Sequence, residues 1–371
     1  MRRLLLGTSL VSFALGASGL VIPLYASSLG ASYTEIGMLG VAYVILGAIF
    51  SIPIGKASDT RGRRGFMILG FISTALVLTL YSFANAIIWL FAIRVLQGLT
   101  ETLVWINTQG LIADNSSLAE SGKVMGSYGR AWGLGMGFGP IIAGLMYASL
   151  GAFYTFLLNG ILAFISAAIV MTEHFPKHRP ASIKPNMSGI RPLFFAGLIY
   201  VGIVAIIFTI LPVYATIGLG SSAFEAGLLI TLFSLLRAVL FTPFGEISDR
   251  VGHRSVILAG IVGSSLVLTS FILISSLPTL VVILVLLSIS VSAVYPSVMG
   301  AILKVAGGYS LGYLFGIFNM IVMIGWGIFP GVSGAIADVY GPAFSFSIAG
   351  LVGLVSVVLL WRLLPRNGDK A

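Results

Sequence analysis

The stretch Gly55-Lys-Ala-Ser-Asp59-Thr-Arg-Gly62-Arg63-Arg64 joins two long apolar segments. At an offset of 190 residues the chain writes nearly the same line again, Gly245-Glu-Ile-Ser-Asp249-Arg250-Val-Gly252-His253-Arg254. The correspondence extends outward on both sides. Pro53-Ile-Gly55 falls on Pro243-Phe-Gly245, Gly110 on Gly300, Gly126 on Gly316, Gly135 on Gly325, Pro140 on Pro330 and Gly144 on Gly334. One residue out of step, Pro23-Leu-Tyr25 matches Pro212-Val-Tyr214. Glycine matches alone would mean little in a chain with 46 glycines, but Asp, Arg and Pro at one offset mean duplication. The chain therefore reads as two halves, 1–172 and 191–371. Between them lies a polar linker, 173–190, that begins Glu173-His-Phe-Pro-Lys-His-Arg-Pro180.

Each half is too apolar for water. Of 371 residues, 58% are hydrophobic and 8% charged, and the mean hydropathy is +1.09. A soluble domain is about a quarter charged, so a soluble enzyme, a nucleic-acid binder and a disordered scaffold are all excluded. Twelve apolar segments follow one another, at 4–27, 33–55, 65–84, 86–112, 122–149, 151–171, 191–217, 223–245, 255–275, 278–303, 310–337 and 342–364. Each is long enough to cross a hydrocarbon core of roughly 30 Å as a helix. The expected fold is an all-α integral membrane protein of twelve transmembrane helices in two pseudo-symmetric six-helix bundles. Abundant Gly within spans suits it, because small residues let helices pack closely in lipid. Met1-Arg2-Arg3 and its apolar run read as the first span rather than a signal peptide, since the run has a mid-chain counterpart.

The net charge of +9 is explained by orientation. With the N-terminus inside, 17 of the 20 basic residues fall in inner loops and tails, none in outer loops, and Arg94, Arg130 and Arg237 within spans. Lysine and arginine are retained on the cytoplasmic side, so both termini are expected in the cytoplasm. There is no Cys, and His174, His178 and His253 all fall in inner loops. No metal, cofactor or nucleophile–base set is expected. No phosphate-binding Gly-x4-Gly-Lys-Ser/Thr loop appears, which argues against a nucleotide-driven pump.

The duplicated line resembles the signature Gly-x-x-x-Asp-Arg/Lys-x-Gly-Arg-Arg/Lys of the major facilitator superfamily. It departs from that signature at Thr60 and His253. The fifth span is similar to a second motif, with Gly126, Gly135, Gly139, Pro140 and Gly144 in place and Ala143 where a glycine is usual. That motif is typical of the drug:proton antiporter branch. Its residues also have a plainer reading, a kinked helix with a flat packing face. The resemblance implies a cytoplasmic gate at Gly55, Asp59, Gly62, Arg63, Arg64, Gly245, Asp249, Arg250 and Arg254, with Asp114 as the second partner of Arg63. Without it, the loop reads as an orientation signal in a tight turn, where exposed ion pairs contribute little.

The fourth span carries the chemistry. Arg94, Gln97, Glu101, Trp105 and Thr108 recur at steps of three and four, so they share one face. Arg94-x-x-Gln97-Gly98 resembles the family's span-four motif, in which the arginine is linked to proton coupling. Glu101 is the one acid well inside a span; Glu35 and Glu225 sit at helix starts, where they suit capping. Intramembrane charges are costly and usually functional. Burial and the nearby Arg94 act in opposite senses on protonation of Glu101. Glu101 is thus a proton or substrate site modulated by Arg94 and Gln97, or else a structural pair. Arg237, in span eight, stays open between the two roles, and Arg130 reads as structural.

The expected function is secondary active transport by alternating access: proton-coupled export of a small amphipathic or drug-like molecule by a monomer in the cell membrane. The expected partners are a small-molecule substrate, protons and the lipid bilayer. The alternatives are a carrier of an anionic metabolite or sugar using the buried arginines, and a non-transporting receptor or scramblase.

Overall fold

The computed structural model of the chain describes residues 2–114, 121–173, 190–306 and 311–364, with the side chains at 59, 113–126 and 303–316 excepted. These residues build helices and no strands. In chain order the helices are α1 (Arg2–Ser28), α2 (Tyr33–Arg61), α3 (Arg63–Leu80), α4 (Ile87–Asp114), α5 (121–150) and α6 (151–171). The second set is α7 (191–218), α8 (Ala223–Val251), α9 (His253–Thr269), α10 (277–306), α11 (Leu311–Tyr340) and α12 (Pro342–Leu363). Helices α5 and α6 form one continuous run, broken only at Gly151, whose φ of 77° no helix accommodates. Helix α7 ends in a wide π-type turn after Pro212, whereas Pro23 sits inside an unbroken α1.

The duplication is written into the backbone. Among the described residues, the six glycines with positive φ form three pairs at the 190-residue offset: Gly30 and Gly220, Gly62 and Gly252, Gly151 and Gly341. Helices α2 and α8 open on the same capping box, Ser32 with Glu35 and Ser222 with Glu225, as expected for those acids. One aromatic trio is repeated too. Tyr25 and Tyr81 pack on Phe156 at 6.0 and 5.2 Å, and Tyr214 and Phe271 pack on Phe346 at 6.3 and 4.5 Å.

The signature stretch differs from the expected loop. Residues 55–61 continue α2, and α3 begins at Arg63. A single residue, Gly62 at φ 94°, makes the whole turn, and Gly252 at φ 99° does the same between α8 and α9. A side chain there would meet steric cost in the left-handed region, so these glycines set the hairpin. Gly55 and Gly245 are ordinary helical residues.

Ile49, Ile88, Trp89, Leu273 and Trp361 are exposed on the outside of the helices, a surface that suits lipid. Eleven helices, one of them the double-length α5–α6 run, are long and apolar enough to cross a membrane. The two sets of helices meet along α2 with α11 and α5 with α8. The meeting is tight at the end of the bundle away from the basic turns. There Asp338 of α11 accepts the backbone N–H groups of Tyr33 and Thr34 at 2.8 Å each, crowning the start of α2. A methyl on Gly37 would run into the Pro330 carbonyl, and one on Gly334 into the Tyr33 carbonyl. On the α5–α8 side a methyl on Gly144 would lie 2.5 Å from the Ala223 carbonyl, and one on Gly227 2.5 Å from that of Pro140. Toward the basic end the packing loosens, and a methyl on Gly55 would meet nothing within 4 Å.

Candidate functional site

Helix α4 presents its polar stripe to α2 and α3, and the side chains close into one network. Glu101 is 8% exposed and receives three hydrogen bonds. Gln97 Nε2 donates to Oε1 at 2.8 Å. The Tyr43 hydroxyl of α2 and the Trp105 indole donate to Oε2 at 2.9 and 3.1 Å. Gln97 Oε1 in turn accepts from Arg94 Nη1 at 2.9 Å and from the Tyr81 hydroxyl at 2.7 Å. Arg94 and Glu101 therefore communicate through the Gln97 amide, as their seven-residue spacing suggested, and not as a direct ion pair. Arg94 also lies over the Tyr43 ring, 5.0 Å from its centroid.

The chemistry of this arrangement is asymmetric. An ionised carboxylate only accepts, and here all three contacts are donors. A proton added to Oε2 must be donated to something. The Gln97 and Trp105 nitrogens cannot accept it, but the Tyr43 hydroxyl can turn and do so. A change of protonation at Glu101 would therefore be felt at Tyr43 on α2, the helix that packs on α11 across the interface. Sequence reasoning missed Tyr43 and Tyr81, because nothing in their spacing ties them to α4.

The second half keeps the frame and changes its contents. At the offset positions, Tyr43, Tyr81, Arg94, Gln97 and Glu101 become Phe233, Phe271, Leu284, Leu287 and Val291. The charge there comes from Arg237 of α8, which replaces Gly47. Arg237 is 5% exposed and donates to the Tyr200 hydroxyl. Its guanidinium carbon lies 5.4, 4.9 and 5.7 Å from the ring centroids of Tyr200, Phe233 and Phe241. Arg130, expected among the buried bases, is instead exposed on α5 and hydrogen-bonds to Ser127 at 3.3 Å. Gly133 and Gly137, one and two turns along, face Ala238 and Leu235 of α8, so Arg130 lies on the face of α5 turned to the other half.

The signature residues gather at the basic end and hold neighbouring helices within each half. Arg63 is buried, and a methyl on Gly110 of α4 would lie 2.6 Å from its guanidinium. His253 stands in the same relation to Gly300 of α10, at 2.9 Å. It also pairs with Ser248 at 2.7 Å and lies 3.7 Å from Asp249. Arg64 donates to the Met171 carbonyl at 3.1 Å, and Arg254 to that of Trp361, its offset copy. Arg250 is exposed at the end of α8. The side chains of Asp59 and Asp114, and the surroundings of Gly126, lie outside the described residues, as do His174 and His178. The α5 motif divides its work. Methyls on Gly135 and Gly139 would strike the Ser9 and Phe13 carbonyls of α1, within the half, while Pro140 and Gly144 face α8 across the interface. There the Thr231 hydroxyl takes the Ile141 N–H at 3.1 Å. Two further polar side chains of α4 make contacts outside this network. Asn107 bonds the Leu103 carbonyl of its own helix, and Gln109 donates to the Tyr128 hydroxyl at 3.3 Å.

Comparison with known proteins places this geometry. The sequence model of the Major Facilitator Superfamily matches residues 4–217 and again 193–371. The chain is 26% identical over 364 residues to an uncharacterized MFS-type transporter, MJ1560, of Methanocaldococcus jannaschii, covering 93% of each. It is 23% identical over 362 residues to the multi-drug resistance efflux pump PmrA homolog of Lactococcus lactis, covering 92% of this chain and 89% of that one. Among solved structures, it superimposes with a TM-score of 0.83 on a bacterial homolog of the human lysosomal transporter Spinster. The identity is 15%, over 97% of this chain and 96% of that one. The chain belongs to the Major Facilitator Superfamily; it is a multi-pass membrane transporter of small molecules and not an enzyme.

Proposed function

We propose that this transporter exports small amphipathic molecules in exchange for protons, by alternating access in the cell membrane, with both termini cytoplasmic. The observation that carries the reading is Glu101: a carboxylate in the middle of a span, served by three donors, of which Tyr43 alone can reverse. In this reading a proton arriving from the outside neutralises Glu101, reverses its hydrogen bond with Tyr43 and so weakens the charge-assisted hold of α4 on α2. Arg94 modulates the carboxylate through the Gln97 amide. The names of similar chains, among them the Lactococcus lactis efflux pump homolog, support export of drug-like molecules.

The two bodies, 1–172 and 191–371, rock about the central space as a monomer, with 173–190 as the linker between them. The contacts crowded at the far end support reading this state as closed to the outside. Its gate on the cytoplasmic side is the basic end, where Gly62 and Gly252 fix the hairpins. Arg63, Arg64, Arg250 and Arg254, with Asp59, Asp114 and Asp249, hold and release the helix ends there. The experiment is a flux assay in proteoliposomes with an imposed pH gradient, using a fluorescent dye as substrate. Wild-type protein drives dye against its gradient when the opposite side is acidic. Glu101→Gln binds dye but no longer accumulates it. Undiminished pH-driven accumulation in that variant removes Glu101 from the mechanism.

A further inference from the structure

Arg237 sits at mid-length in α8, almost wholly buried, among three aromatic rings. A guanidinium has five N–H donors in a planar fork. Here one hydrogen bond is made, to Tyr200, and Nε has no partner. No carboxylate among the described residues pairs with it. Ring faces attract the positive charge, but they do not fill the in-plane donors. A buried cation left in this condition is costly, and the arrangement is the one that a planar anion completes by bidentate hydrogen bonding. The walls are suited to the rest of such a molecule. Tyr295 packs on Tyr200 and on Phe241, 5.4 and 5.5 Å ring to ring, so the rings about the guanidinium form one aromatic cluster on which a flat apolar body could stack.

The stretch of α8 around Arg237 lies at the interface between the halves, where Leu235 and Ala238 face Gly137 and Gly133 of α5. We propose that Arg237 is the anchor for the acid group of the substrate, so that the transported class is an amphipathic anion with an aromatic or flat apolar body held by Tyr200, Phe241 and Tyr295. The inference rests on the export reading above and adds the charge of the cargo to it. It gives the two halves separate tasks: one takes the proton and the other takes the carboxylate.

The test uses three naphthalene probes of matched size: naphthoate, neutral naphthalenemethanol and cationic naphthylmethylammonium. Binding to the purified full chain in detergent is followed by tryptophan fluorescence and by thermal shift. Wild type binds naphthoate roughly tenfold or more tighter than either other probe, a factor in the range of one good charge-assisted contact. Arg237→Gln erases that preference and leaves binding of the alcohol unchanged. Arg237→Lys weakens naphthoate several-fold while sparing the alcohol, and it carries the test if the Gln variant does not run as a single species on gel filtration. A wild type that favours the alcohol or the cation overturns the proposal. So does naphthoate affinity that survives either substitution in folded protein. The proton reading fails separately. Glu101→Gln binds naphthoate as wild type does, and pH-driven flux that persists in that variant sinks the proton role while the anion site stands.

Discussion

The first half of the molecule holds a hydrogen-bonded acid, and the second holds an arginine among rings, on backbones that repeat turn for turn. The capping boxes, the one-residue hairpins and the Tyr/Phe trio are common to both. What differs is a handful of side chains facing the centre. Glu101, Gln97 and Arg94 stand where the copy has Val291, Leu287 and Leu284, and Gly47 stands where the copy has Arg237. The lesson is that scaffold and chemistry separate cleanly in this protein. Packing residues were kept at both sites of the duplication, and each half was then free to carry its own charge.

The comparison breaks hardest at its centre. Replacing Glu101 by Val, its copy in the other half, is expected to drop pH-driven transport to background while the protein still folds. Removing the carboxylate leaves the Gln97, Tyr43 and Trp105 donors without their acceptor, so thermal stability should fall by about 1–3 kcal/mol; accumulation of dye and the melting temperature check both. Next comes the seam. Gly37→Val or Gly334→Val forces a side chain into a backbone carbonyl and should cost about 1–3 kcal/mol of the far-end-closed state. The readout is increased labelling of a cysteine placed near residue 338.

Smaller changes sharpen the contrast. Tyr81→Phe makes the first half resemble Phe271 and removes one donor to Gln97. A loss of about 0.5–1.5 kcal/mol is expected in thermal or denaturant melts, with transport slowed and not abolished. The reverse change, Phe271→Tyr, buries a hydroxyl opposite Leu287 and should destabilise by about 1–3 kcal/mol without any gain in transport. The smallest effect tests the scaffold itself. Ser32→Ala and Ser222→Ala each remove a cap worth about 0.5–2 kcal/mol, and any difference between the two losses measures what the Asp338 contact adds at the start of α2.

Much of this was legible in the chain. The repeat at one offset, the twelve apolar runs and the one-sided basic residues led to the family, because each is a pattern spread over many residues. Glu35 and Glu225 were readable as caps from their place after Ser32 and Ser222. The stripe on α4 was readable because helical spacing alone puts Arg94, Gln97 and Glu101 on one face. What spacing does not contain is the neighbour on another helix. Tyr43 and Tyr81 meet Glu101 and Gln97 only through the packing of α2 and α3 on α4, and Tyr200 meets Arg237 only through that of α7 on α8. The turn was misplaced for a similar reason. Gly55 and Gly62 look alike in sequence, and only the backbone reveals that one residue makes the whole reversal. Arg130 failed differently: a charge inside an apolar run looks buried until the rotation of its helix is known.

The Asp338 carboxylate that crowns α2 has a consequence for how easily the two bodies part. It fastens them by hydrogen bonds to two backbone N–H groups at the rim, where water waits to take its place. Undoing such a clasp exchanges one set of partners for another at little net expense. The rim is therefore a snap fastener and the glycine seam behind it the true closure, so unlocking can begin at the surface and travel inward one helical turn at a time.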